Sequence, residues 1–168
     1  MVPGQISPDT HTAEEVARLL DLAPLEQEGG HFRRSHEADL LIPGGARRAY
    51  SAIYMLITPE GFSALHKLDA DEIWCFHCGD PLESLRLPPG GTGGVVKLGL
   101  DLSAGETAQD LVAAGVWQGT RLRPGGRWAL VSCIVVPEFR WSGFTLADWR
   151  ELSVRYPLYS REIMALCR

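Results

Sequence analysis

The chain has 168 residues, with 16 Lys and Arg against 21 Asp and Glu, for a formal net charge of −5. That length suits one domain with a proper core. The acidic balance offers no basic field for a phosphate backbone, so no nucleic-acid role is expected. No apolar run approaches the roughly 18 residues of a membrane span. The N-terminus lacks the basic start and apolar stretch of a targeting segment. Four scattered cysteines (Cys75, Cys78, Cys133 and Cys167) do not make a secreted disulfide framework, and the expectation is a cytoplasmic protein with free thiols.

The first element is a predicted helix over residues 10–23. Thr12 followed three residues on by Glu15 is a capping-box pattern, Val16, Leu19, Leu20 and Leu22 supply the apolar face, and Pro24 stops it. Glu28-Gly29-Gly30 is a turn leading into His31-Phe32-Arg33. From Tyr50 onward, short β-type runs recur between Gly, Pro and Asp signals. They cover 52–58, 62–68, 72–77, 82–87, 95–102, 111–112, 116–122 and 128–136. Strands so closely spaced indicate a sandwich or barrel. The Gly-rich stretch from Gly90 to Gly94 lacks the Lys and following helix of a phosphate loop and reads as a hairpin connection. A short C-terminal helix is expected over 146–154, with Pro157 after it. No repeat or boundary divides the chain, so residues 1–168 form one domain with a barrel core at about 48–140.

The chemistry concentrates between Glu60 and Gly79. His66 lies near the end of one run, and Glu72 stands six residues later at the start of the next, across Asp69-Ala70-Asp71. Read as an antiparallel hairpin, the two ends meet and both side chains enter one pocket. A His–carboxylate pair can act as a tuned acid/base or hold a divalent metal. Strand alternation places Glu72, Trp74 and Phe76 on one face, and Ile73, Cys75 and His77 on the other. His77 therefore suits a structural or subunit contact better than a substrate contact. Cys75 and Cys78 point to opposite faces on the same reading, poor geometry for a shared metal or disulfide.

These residues carry a resemblance. His66, Glu72 and Gly79 approach the spacing of the first motif of the cupin superfamily, although Leu68 stands where a second His is usual. The segments from Phe62 to Trp74, Phe76 to Leu82, Gly115 to Gly119 and Val131 to Phe139, with Glu28-Gly29-Gly30, closely resemble the "cupin 5" (DUF985) group. In the second cupin motif Ala113-Ala114-Gly115 replaces Pro-x-Gly, and Gln118 occupies the place of a His. The resemblance implies an all-β, double-stranded β-helix (a jelly-roll barrel) with flanking N- and C-terminal helices. It also implies kinship in fold with sugar-nucleotide epimerases, and a homodimer in which an N-terminal strand pairs with the partner's sheet.

The expected function is small-molecule metabolism in the barrel mouth. His66 is the base, Glu72 orients it, and Tyr54 returns the proton in an epimerisation, isomerisation or elimination next to a carbonyl. Gln118 and Gln109 position the substrate, Trp74, Phe62 and Trp117 wall the pocket, and His77 is a further candidate contact. Lys67 and Arg86 are basic residues within reach of the mouth. Two other readings share the site. One is a metallo-enzyme with Fe, Mn, Ni or Zn on His66, Glu72 and Gln118, and the other is a binder without turnover. The site is expected to hold either no cofactor or one divalent metal.

Overall fold

The computed structural model describes residues 5–168. Helix α1 (Ala13–Leu19) begins at the expected capping box: Thr12 Oγ1 accepts from the Glu15 amide, and the Glu15 carboxylate accepts from the Thr12 amide. It is shorter than the sequence pattern suggests, because the chain turns at Asp21, which has a positive φ of 53°. Eleven strands follow. They are β1 (Ala23–Pro24), β2 (His31–Glu37), β3 (Ser51–Ile57), β4 (Ser63–Leu68), β5 (Asp71–Gly79), β6 (Leu82–Leu87), β7 (Gly94–Leu98), β8 (Gln109–Val112), β9 (Trp117–Leu122), β10 (Ala129–Val136) and β11 (Phe144–Leu146). Each run expected from the sequence contains a strand, although the run 95–102 is strand only to Leu98 and its end enters a 3-10 turn at Leu102, while β1, β2 and β11 come from polar or very short segments that alternation alone does not mark.

The strands make two antiparallel sheets facing each other, the jelly-roll barrel expected from the resemblance. One has the order β1-β2-β3-β10-β5-β8 and the other β11-β4-β9-β6-β7. Between them lies an apolar interior that includes Met55, Ile57, Trp74, Phe76, Leu82, Leu98, Leu122 and Val131. Helix α1 covers one end of the outer face of the six-stranded sheet, with Val16 against Leu56, Trp128 and Leu130.

Strands β4 and β5 correct the hairpin reading. They are not partners: β4 pairs with β9 and β11, and β5 pairs with β10 and β8. At Asp69-Ala70 the chain crosses from one sheet to the other. His66 and Glu72 therefore face each other across the barrel interior rather than along a shared ladder.

The five-stranded sheet is covered outside by helix α2 (Trp149–Arg155) and helix α3 (Ser160–Leu166), which bury Leu152, Ile163 and Leu166 on Leu65, Leu85, Leu87 and Trp117. Each such burial contributes about 1.5–3 kcal/mol. The sequence marks only the first of these helices, because Pro157 reads as a stop. In the structure Pro157 opens a short 3-10 turn, Pro157–Tyr159, that leads into α3. Tyr156 donates its hydroxyl to Pro88 O at 2.8 Å, and Tyr159 donates to Gly93 O, tying this turn to the Gly-rich β6–β7 connection.

Covering both faces inverts the usual pattern of a half-exposed strand. On the outer face of β4, β6 and β9 the helices cover the apolar Leu65, Leu85, Leu87 and Trp117. The inner face of these strands carries Ser63, His66, Ser84, Arg86, Gln118 and Thr120, all buried. A polar interior is costly unless its groups pair, and here they do: Ser84 and Thr120 share a hydrogen bond, and Arg86 meets Asp110 at 3.0 Å.

Candidate functional site

A cavity of about 300 Å³ opens at one end of the barrel, and His66, Glu72, Glu28 and Cys133 line it with a largely apolar wall. His66 comes from β4, with 1% of its surface exposed. Its Nδ1 lies 2.7 Å from Ala64 O. A carbonyl can only accept, so Nδ1 carries the hydrogen and Nε2 holds the free lone pair of the neutral ring. Phe144 of β11 stacks on the imidazole with centroids 4.9 Å apart and planes 24° apart, fixing its orientation. Burial pulls the His66 pKa below 6.5, with the Glu72 charge opposing, which keeps the ring neutral at neutral pH.

Glu72, on β5, is buried, and its Oε2 accepts from Gln118 Nε2 at 2.6 Å. Gln118 Oε1 in turn accepts from Trp74 Nε1 at 3.0 Å. The amide orientation is fixed by its neighbours: an indole N–H can only donate, and flipping the amide would set donor against donor. Burial raises the Glu72 pKa, partly offset by His66.

Glu28, which the sequence marks as part of a turn and of the family resemblance but not as a site residue, also lines the cavity. Its pKa is pushed up to about 7 by burial, against a hydrogen bond from Ser63 Oγ at 2.5 Å. The turn forces this carboxyl inward. Gly29 and Gly30 have φ of +109° and +73°, and a Cβ on Gly29 would lie 2.2 Å from Phe62 O. Only residues without a side chain let this turn press against the start of β4. There the Ala64 amide donates to Glu28 O at 2.9 Å. The Glu-Gly-Gly spelling was the available signal.

Several expected site residues lie elsewhere. Tyr54 sits on the outer face of β3, edge-on to His77 at 5.9 Å and packed under α1, because Ile53 and Met55 take the inner positions. Gln109 is exposed on β8 and donates to Cys75 Sγ at 3.3 Å on the outer face. Phe62 and Trp117 pack under the C-terminal helices, outside the five-stranded sheet. Lys67 is also outside, 4.7 Å over the Trp117 ring. Trp74 is buried in the interior and acts on the cavity through Gln118. His77 faces outward, as alternation required, with Nε2 2.5 Å from Ser132 Oγ. A register shift opposite Leu130/Val131 lets Cys78 join Cys75 on the outer side, contrary to the opposite-face expectation, and both are free thiols.

The metal reading fails on the donor set. A transition-metal site wants several imidazole or carboxylate donors directed at one point. Here the Gln118 oxygen is taken by Trp74 and its nitrogen faces Glu72, which leaves one imidazole and one carboxylate of the expected three. Among the described residues no cluster of three or more His, Cys, Asp or Glu is placed to hold a metal ion.

A larger open cleft of about 1060 Å³ lies outside the barrel, between the segment around α1 and Arg127. Its Arg127 is already paired with Asp9 and Asp80 at the surface. Among the described residues, the buried titratable groups His66, Glu72, Glu28 and Cys133 converge in the barrel cavity, which is therefore the candidate site.

Residues 14–147 match the family model described as "Cupin superfamily (DUF985)". No curated protein matches the chain. Among solved structures, a Shewanella oneidensis protein superposes with a TM-score of 0.86 at 33% identity, covering 95% of this chain and 99% of that one. A hypothetical protein from Leishmania major gives 0.86 at 30% identity, covering 94% and 99%. Bacillus subtilis oxalate decarboxylase gives 0.53 at 12% identity over 87% of this chain and 37% of that one, a likeness of fold alone. Among the described residues no helix is long and apolar enough to cross a membrane.

Proposed function

Because the chain belongs to the DUF985 group of the cupin superfamily, we propose that it is a cytoplasmic enzyme of small-molecule metabolism that moves a proton at a carbon next to a carbonyl. The product is an epimer, an isomer or an elimination product. The observation that carries this reading is the free Nε2 of a neutral His66 in a cavity that also holds two carboxyls with raised pKa values. Environments that push a base down and acids up give one site both halves of acid/base chemistry near pH 7.

His66 Nε2 takes the proton from the carbon. In its protonated form, which burial favours, Glu72 donates a hydrogen bond to the carbonyl oxygen as negative charge grows there, while Gln118 holds its other oxygen. Glu28, protonated below about pH 7, takes the proton-returning role first assigned to Tyr54. The ordering contacts come from Phe144, Ala64, Gln118 and Ser63.

The test needs no knowledge of the product. A panel of 2-oxo acids, 2-hydroxy aldehydes and small aldoses is incubated with the protein in D2O, and loss of the proton next to the carbonyl is followed by NMR. The wild-type protein should exchange at least one of these compounds, and His66→Ala should slow that exchange by about 100-fold or more. Binding without exchange would leave a carrier of small metabolites, and unchanged exchange in His66→Ala would remove His66 from the role. A homodimer is part of the same reading. Light scattering should give twice the 18.5 kDa of one chain, and a single-chain mass would refute it.

A further inference from the structure

The cavity has a chemically uneven mouth. Arg34, on the inner face of β2 two residues beyond Phe32, is the one permanently cationic side chain among the described residues that line it. Phe139 and Trp141 stand at the same rim, with Trp141 edge-on to both Phe139 and Phe144. Trp141 is 49% exposed, a large apolar surface left open at the entrance to a cavity.

Arg34 is available to a ligand. Its partner is Glu37 at 3.2 Å, in a pair whose side chains are 42% and 43% exposed. Such a pair is weak in water and is readily exchanged for another. Glu37 also has a second cation, Arg48, at 3.6 Å, so releasing Arg34 does not strand the carboxylate. The other basic group near the interior, Arg86, is committed to Asp110.

Deeper in, burial lessens the negative charge that an anion would meet. Glu28 and Glu72 are both shifted toward their neutral forms, and Cys133 stays a thiol because burial raises its pKa. A single guanidinium matches one carboxylate through two parallel hydrogen bonds. A phosphate dianion would call for more positive charge than this rim has. At about 300 Å³ the cavity is at the small end of ligand sites, sized for a compact metabolite.

We propose that the ligand of this cavity is a small monocarboxylate bearing a 2-oxo or 2-hydroxy group. Its carboxylate lies on Arg34 at the rim, and its apolar body lies between Phe32, Phe139 and Trp141. The position of the reacting carbon at His66 rests on the proton-transfer reading, whereas the carboxylate subsite stands on the cavity itself.

Calorimetric titration tests it with 4-methyl-2-oxopentanoate, the methyl ester of that acid, and inorganic phosphate. The carboxylate should bind saturably, the ester about 10-fold more weakly, and phosphate not measurably. Arg34→Gln should weaken the carboxylate by about 10-fold and leave the ester unchanged, while Arg34→Lys, a second variant in case the first misfolds, should keep part of the affinity. Equal binding of ester and acid, indifference to Arg34, or no binding of the acid would overturn the proposal. Proton exchange by the wild type, set beside these titrations, separates the two readings. Arg34-dependent binding without proton exchange in the wild type would sink the reaction and keep the subsite. Exchange confined to uncharged carbonyl compounds would do the reverse.

Discussion

Gln118 donates to Glu72 at 2.6 Å inside the barrel, and the same side-chain amide accepts the indole N–H of Trp74 at 3.0 Å. One side chain thus satisfies two buried groups from the opposite sheet. Gln118→Leu would strand both. Each unsatisfied buried group costs about 1–3 kcal/mol, so urea unfolding should show a loss of about 2 kcal/mol or more with an unchanged slope. A loss under about 0.5 kcal/mol would mean that the bridge contributes little.

Stability should depend on pH through Glu28. Its folded pKa of about 7 lies above the ordinary 4.5, so the native state holds the proton more firmly than the unfolded chain does. The stabilisation is fully present below pH 4.5 and is lost as pH rises through 7. His66, held below 6.5, acts oppositely and costs stability as pH falls through 6.5. Glu28→Gln removes the first effect, and with it the smaller upward push that Glu28 gives Glu72. Between pH 5 and pH 8.5 the variant should gain on the wild type by up to about 3 kcal/mol. Parallel stability curves would contradict a raised Glu28.

The Glu-Gly-Gly turn gives a backbone prediction. Gly29 and Gly90 both have positive φ, but a Cβ on Gly90 meets nothing within 4 Å, whereas one on Gly29 meets Phe62 O at 2.2 Å. Gly90→Ala should cost about 1 kcal/mol from strain. Gly29→Ala should cost clearly more, and should shift the Glu28 carboxyl signal in a 13C NMR titration. Equal thermal shifts for the two variants would show that the turn relaxes freely.

The donor set predicts the response to chelation. Protein purified without a tag should carry substoichiometric metal by mass spectrometry, and exhaustive chelation should leave its melting temperature and ligand binding unchanged. A stoichiometric metal lost in His66→Ala would show that Gln118 rearranges to free its oxygen.

Much of the site was legible in the sequence. Alternation put Glu72 and Trp74 on one face of β5 and His77 on the other, and the structure keeps both assignments. Gln118 was singled out as a substrate or metal contact, and the structure places its amide between Trp74 and Glu72. Phe62 and Trp117 were misplaced for a reason that strand patterns cannot reveal. An aromatic residue beside a polar one marks two faces but not which of them faces the barrel. Tyr54 was misplaced in the same way, one position out of step with the inner residues Ile53 and Met55.

What the sequence determined by itself is local: the capped helix, the closely spaced strands, the glycine turns, and the residue types that can do acid/base chemistry. Side-chain periodicity and turn chemistry act over a few residues, so they survive without the fold. Only the tertiary structure decided that His66 and Glu72 meet across two sheets. It also decided that α2 and α3 turn the polar face of the five-stranded sheet inward, and that Glu28, far away in the chain, completes the cavity. Those facts depend on which surfaces are covered by distant segments, and burial of that kind sets both the tautomer of His66 and the proton affinities around it.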